Sequence, residues 1–147
     1  MAEIPATLKE VIEDFEFIED RTERTEYLIE LADRFGEAKV PERIATQPYP
    51  EENHVQQCES DAYVWAEEKD DGTLQYYFDV LNPQGLSAMA MGVVLAETLS
   101  GQPLEEVAAV DENIVFTLFG QNISMGKGVG LMGIVRMAQH EAKRRLK

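Results

Sequence analysis

The chain holds a single thiol, Cys58, in the stretch NHVQQCESDAYVW at residues 53–65. Its neighbours are polar, with Gln56 and Gln57 before it and Glu59, Ser60 and Asp61 after it. A structural cysteine behaves as a small hydrophobe and would be expected among apolar residues. This one reads as the tip of a bend between strands, where functional residues concentrate. A thiol that attacks carbon needs an activating base or a nearby positive charge. Glu59 and Asp61 bring the opposite charge, and no pattern pairs Cys58 with a His and an Asn, so a cysteine hydrolase has weak support. Attack on a sulfur that is already activated, in a persulfide or a disulfide, asks less of the surroundings and fits these residues better.

The other chemistry-bearing candidates are weaker. GQNISMGKG at residues 120–128 comes close to a phosphate loop. Five residues rather than four separate Gly120 from Gly126, and Gly128 stands where a magnesium-binding Ser or Thr belongs. The segment before it reads as a helix, whereas a phosphate loop follows a strand. No βαβ unit surrounds GKGVG, so a dinucleotide fingerprint fails as well. These glycines read as a loop that lets the closing helix approach other backbone. Zinc chemistry would fall to His54, His140 and Cys58, which lack zinc-site spacing; no metal is expected, and the two histidines read as surface polar residues. The 28 acidic residues offer so many carboxylate pairs that none is informative.

The elements that must position Cys58 follow from periodicity and turn chemistry. Leu8, Val11, Ile12 and Phe15 predict an amphipathic helix over 6–15. Asp20 and Glu23 form a capping-box pattern for a second helix, with the stripe Tyr27, Leu28, Leu31, Ala32, Phe35 and Gly36 as its stop. Pro41, Pro48 and Pro50 mark an irregular surface connection. HVQQ (54–57), DAYVWAEE (61–68) and TLQYYFDVL (73–81) read as three strands, the last two joined by an Asp71-Gly72 hairpin. Residues 85–99 are apolar nearly all round and predict a buried helix. Pro103 opens a short helix, Asp111 caps another ending at Gly120, and a last helix runs through Leu131, Ile134, Val135 and Ala138 to a basic end.

Length and charge set the class. The 147 residues fit one domain with its own core, and no repeat or second domain appears. No basic segment followed by an apolar stretch opens the chain, and no apolar run reaches the roughly 18 residues of a membrane span. A soluble cytoplasmic protein is expected, without a membrane partner. The net charge of −15 would repel a nucleic-acid backbone, which argues against DNA or RNA binding. The acid is either a solvated surface suited to high salt, as in a halophile, or a surface that steers a basic partner. Its spread along the chain favours the first.

At Cys58 the sequence resembles the SufE family, the sulfur-acceptor proteins of iron–sulfur cluster assembly. That family carries a Val-x-Gly-Cys-x-Ser-x-Val-Trp-like stretch, and here Val55-Gln56-Gln57-Cys58-Glu59-Ser60-Asp61-Ala62-Tyr63 stands in its place. YLIELADRF (27–35) is similar to the family's second helix, and GLSAMAMGVVLAETLSGQPLEEVAAVD (85–111) to its buried helix, short helix and Asp. Ile123-Ser124-Met125-Gly126-Lys127-Gly128-Val129-Gly130 occupies the place of Leu-Ser/Thr-Pro-Ser-Arg-x-x-Gly. Gln57 replaces a glycine, Tyr63 a tryptophan, Lys127 an arginine, and Met125-Gly126 a Pro-Ser pair.

The resemblance implies a SufE/NifU-like α+β fold, with a small, mainly antiparallel three-stranded sheet packed against several helices in one domain over 1–147. It implies that Cys58 takes persulfide sulfur from a PLP-dependent, SufS-like cysteine desulfurase, stimulates that enzyme, and passes the sulfur to an iron–sulfur scaffold complex. Gln57, Glu59 and Ser60 would shape the loop and its partner contact, and Lys127 would position the loop or the thiolate. The chain would act as a sulfurtransferase-like carrier rather than a stand-alone enzyme, with no cofactor of its own. The alternative is a non-catalytic interaction module that regulates a desulfurase or another partner.

Overall fold

A computed structural model of the chain describes residues 3–56, 58–120 and 123–146. Helix α1 (Ala6–Glu16) buries Leu8 and Phe15, with Val11 and Ile12 half-buried beside them. Helix α2 (Arg21–Asp33) starts where the sequence says: the Asp20 carboxylate accepts from Thr22 N–H at 3.1 Å. Gly36 does not stop it. The helix ends at Asp33, and Gly36 lies inside a one-turn helix, α3 (Phe35–Ala38), whose Phe35 packs on the core.

The proline-rich connection ends in a single 3-10 turn (Glu51–Asn53). Strands β1 (Ala62–Glu68) and β2 (Leu74–Val80) then form an antiparallel hairpin in which Ala62 pairs with Val80 and Glu68 with Leu74. The turn is held by the Asp71 carboxylate, which accepts from Thr73 N–H at 3.0 Å and from its hydroxyl at 2.6 Å. Gly72, at φ +85°, supplies the left-handed residue the turn requires.

The α+β class holds, but among the described residues the sheet has two strands rather than three. The expected third strand shrinks to one bridge, His54 to Tyr63, and one further bond, Val55 N–H to Ala62 C=O at 2.8 Å. The 3-10 turn before His54 and the turn at Gln56 interrupt it on either side. On the other edge, Val40 N–H donates to Phe78 C=O at 2.9 Å. Each edge of the hairpin is thus partly covered by a neighbouring segment, which limits open pairing.

Helix α4 (Leu86–Leu99) is the centre of the core, as its all-round apolar sequence predicts. It packs against α1, α2, α3, β2 and a C-terminal helix, α7 (Met125–Lys143). Leu74, Tyr76, Phe78 and Val80 of β2 are all buried on that side. Between them run α5 (Leu104–Ala108) and α6 (Ile114–Phe119). Arg24 of α2 binds the end of α6, donating to the carbonyls of Thr117 at 3.1 Å and Leu118 at 3.0 Å. Such donation satisfies carbonyls that a helix end leaves open.

Helix α7 (Met125–Lys143) corrects the reading of the glycine-rich segment. Gly126, Gly128, Gly130 and Gly133 lie within the helix, not in a loop before it. Ser124 caps its start, accepting from Lys127 N–H at 3.2 Å. Each interior glycine weakens a helix by about 1 kcal/mol relative to alanine, so tertiary contact has to compensate. Tyr76 ties α7 to the hairpin through a buried bond from its hydroxyl to the Ala138 carbonyl at 2.5 Å. Among the described residues, no helix is long and apolar enough to cross a membrane.

Candidate functional site

The glycines of α7 explain where Cys58 sits. Gly126, Gly130 and Gly133 are spaced four and three residues apart, so they share one helix face. Val55, Cys58 and Glu59 lie on that face. A methyl group at Gly133 would meet Val55 Cγ1 at 2.8 Å. One at Gly130 would meet Cys58 Cα at 3.1 Å and Sγ at 3.2 Å, and one at Gly126 would meet the Glu59 carboxylate at 3.2 Å. The absent side chains form a trough, and the thiol loop fills it. This is the close backbone approach that the sequence suggests, made by helix rather than by loop.

The loop is closed at its neck. Cys58 C=O accepts from Asp61 N–H at 3.1 Å, forming a turn over 58–61. Asp61 has φ 58°, a left-handed conformation unusual for a residue with a side chain. Its carboxylate lies 2.7 Å from His54 Nε2, and the other ring nitrogen of His54 lies 3.1 Å from Glu51. The His54 ring also rests on Tyr63, with 4.8 Å between centroids. Leu81 N–H and Asn82 N–H donate to the carbonyls of Asp61 and Ser60, which fastens the far side of the loop to the end of β2.

Cys58 is half-buried on the wall of a cleft of about 370 Å³. Thr25 and Leu28 of α2, Phe119 and Ile123 complete its apolar side. The first turns of α4 and α7 also line it, so two helix starts, with their partial positive charge, face the same space. Leu86, the first residue of α4, is partly exposed at the cleft. Met125, the first residue of α7, is 86% exposed.

The residues expected from sequence are distributed as follows. Cys58, Glu59, Ser60 and Lys127 all line the one cleft. Ser60 is half-buried, while Glu59 and Lys127 are exposed. Glu59 lies over the first turn of α7, where a carboxylate is favoured. Gln57 lies outside the described residues. Among the described residues, no cluster of three or more metal-ligating side chains forms. His140 is on α7 and does not line the cleft.

Sequence reasoning missed three contributors. Gly85 caps α4 and stands so near Ser60 that a methyl group there would meet Ser60 Cβ at 2.9 Å and Val80 Cγ1 at 2.8 Å. The four-and-three spacing of the α7 glycines was a readable signal of a helix trough. His54, read as a surface polar residue, instead holds the loop neck. Nothing local to the sequence marks that last contact.

Comparisons with known proteins bear on the family and the fold. The model of the SufE family, an Fe-S metabolism associated domain, matches residues 9–142. An uncharacterized SufE-like protein of Rhizobium etli is 33% identical over 145 residues, spanning 94% of this chain and 90% of that protein. A second, from Rhizobium meliloti, is 27% identical over 147 residues, spanning 95% and 97%. The solution structure of a hypothetical protein from Thermus thermophilus shares the fold, with a TM-score of 0.70 at 22% identity over 97% of each chain.

Proposed function

The chain belongs to the SufE family, and from that premise we propose that it is a sulfur acceptor and carrier in iron–sulfur cluster assembly, acting as one SufE-like domain. Cys58 is the acceptor. Its thiolate attacks the outer sulfur of a persulfide on a PLP-dependent cysteine desulfurase. The new S–S bond forms on Cys58, the S–S bond on the desulfurase breaks, and the desulfurase cysteine leaves as a thiolate. One zero-valent sulfur moves and no external oxidant is needed. The same exchange with a scaffold thiolate then releases it.

The observation that carries this reading is the placement of Cys58. The thiol lies on the wall of a cleft, against the Gly130 face of α7 and beside two helix starts. Those starts and Lys127 favour negatively charged sulfur in the cleft. Partial burial shelters a persulfide from stray thiols until a partner reaches it. Glu59 and Ser60 shape the loop and, with Gln57, contact the partner. Leu86 and Met125 supply exposed apolar area near the cleft for that contact.

Intact mass tests this. The protein is incubated with an active cysteine desulfurase and free cysteine, without reductant, beside Cys58→Ser. Mass added in single-sulfur steps on the wild type alone is the expected result. No added mass, with the desulfurase turning over, would return the chain to the role of a non-catalytic interaction module.

A further inference from the structure

We propose that His54 is a positioning residue for Cys58, acting as a charge-dependent clamp on the neck of the loop. The inference rests on the reading of Cys58 as the sulfur acceptor, and it concerns how far that thiol can leave the α7 trough. Three observations carry it. First, both His54 ring nitrogens face carboxylates, Asp61 at 2.7 Å and Glu51 at 3.1 Å. Second, Asp61 is the left-handed residue at which the loop turns into β1, and its N–H bonds the Cys58 carbonyl. Third, Val55 and Ala62 bond directly between these points, so the clamp sits where the two arms of the loop converge.

Protonation decides how many of these bonds His54 donates. A neutral imidazole has one N–H and can donate to one carboxylate, leaving the other facing a ring lone pair. The imidazolium donates from both nitrogens, and such charge-assisted bonds are roughly twice as strong as neutral ones. The groups that face the ring are Glu51 from the 3-10 turn, Asp61 from the loop and the Tyr63 ring from β1. As pH falls and His54 becomes charged, the neck tightens and Cys58 is held in the trough. As pH rises, one bond is lost and the thiol is freer to reach a partner.

The test compares alkylation of Cys58 by a bulky maleimide in wild type and His54→Gln from pH 5.5 to 8.5. Thiol ionisation affects both proteins, so the ratio of their rates isolates the clamp. The expected ratio is on the order of tenfold in favour of the variant at the acid end, falling toward unity at the alkaline end. Glu51→Gln removes the charge from one of the two acceptors and so weakens that bond, and its ratio should lie between those of the other two proteins at acid pH. Asp61→Asn, which tolerates left-handed backbone, covers the case that His54→Gln misfolds and should behave like it. A ratio near one throughout, or one raised equally at every pH, would overturn the proposal, because simple loosening carries no pH dependence. Sulfur uptake measured on the same samples separates the two readings. Uptake with a flat ratio sinks the clamp alone, and a sloping ratio without uptake sinks the acceptor role alone.

Discussion

Gly130 of α7 stands against Cys58 with no room for a side chain: a methyl group there would meet Cys58 Cα at 3.1 Å and its sulfur at 3.2 Å. The nearer obstacle is backbone, so Gly130→Ala has to push the loop outward rather than rotate a side chain. Helix propensity favours the alanine by about 1 kcal/mol, which offsets part of the strain. The expected outcome is a folded protein within about 1 kcal/mol of wild type in which Cys58 alkylates several-fold faster. An unchanged alkylation rate would mean that this contact does not hold the thiol.

Three residues further along, the same substitution has a different cost. A methyl group at Gly133 would meet Val55 Cγ1 at 2.8 Å, and Val55 is fully buried and β-branched, with little freedom to turn away. Gly133→Ala should destabilise by about 1–3 kcal/mol, as overpacking does. At Gly128 the nearest atom is the tip of Ile123 at 3.4 Å, an ordinary contact. Gly128→Ala should stabilise by roughly 0.5–1 kcal/mol. Thermal melts of the pair read the contrast. Stabilisation by both would show that propensity, not the trough, governs this helix.

Much of this was legible because its signals are local. Asp20 as a cap, Asp71-Gly72 as the hairpin turn and the all-round apolar run of α4 each depend on a few adjacent residues, and each appears where the sequence put it. The errors arise where distant contacts decide. The glycine-rich run reads as a loop by composition, yet it is helical because the Cys58 loop needs the space. HVQQ has strand character but meets Tyr63 at a single bridge. Cys58, Glu59, Ser60 and Lys127 share a cleft although the last two lie far apart in the chain, and only the resemblance of both segments to one family brought them together. The His54–Asp61 contact had no local signature, since nothing in the sequence marks Asp61 as left-handed.

Lys127 lines the Cys58 cleft from the exposed first turn of α7, the turn that Glu59 overlies. An exposed lysine contributes little to stability, so Lys127→Ala should leave the melting temperature nearly unchanged, within about 0.5 kcal/mol. If its charge steadies the transferred sulfur, the rate of single-sulfur uptake from a desulfurase should fall several-fold, and less so in high salt, where screening already weakens the charge. Lys127→Arg keeps the charge and should retain most of the rate. Equal rates for the alanine and arginine variants would remove Lys127 from the site.

Alkaline pH should test the outer face of the hairpin. Tyr49 donates to the buried Asp79 carboxylate at 2.5 Å and packs edge-on against Trp65. Burial, and then the bond to Asp79, push the Tyr49 phenol from 10.0 up to about 12. A group whose pKa is raised by folding adds stability that is fully present below its unfolded value and disappears as pH climbs through the folded one. The Tyr49 contribution is therefore intact at neutral pH and is lost between about pH 10 and 12. Tyr76, buried against Ala138, shifts the same way and reinforces the loss. Denaturation midpoints measured across that window should drop, while tyrosinate absorbance lags behind that of free tyrosine. Tyr49→Phe removes the donor to Asp79 Oδ2 and leaves Oδ1 bonded to Val80 N–H; it should cost about 1–3 kcal/mol at pH 7, with a shallower decline above pH 10. A variant whose decline is as steep as that of wild type would show that Tyr49 ionisation is not what unfolds the protein in alkali.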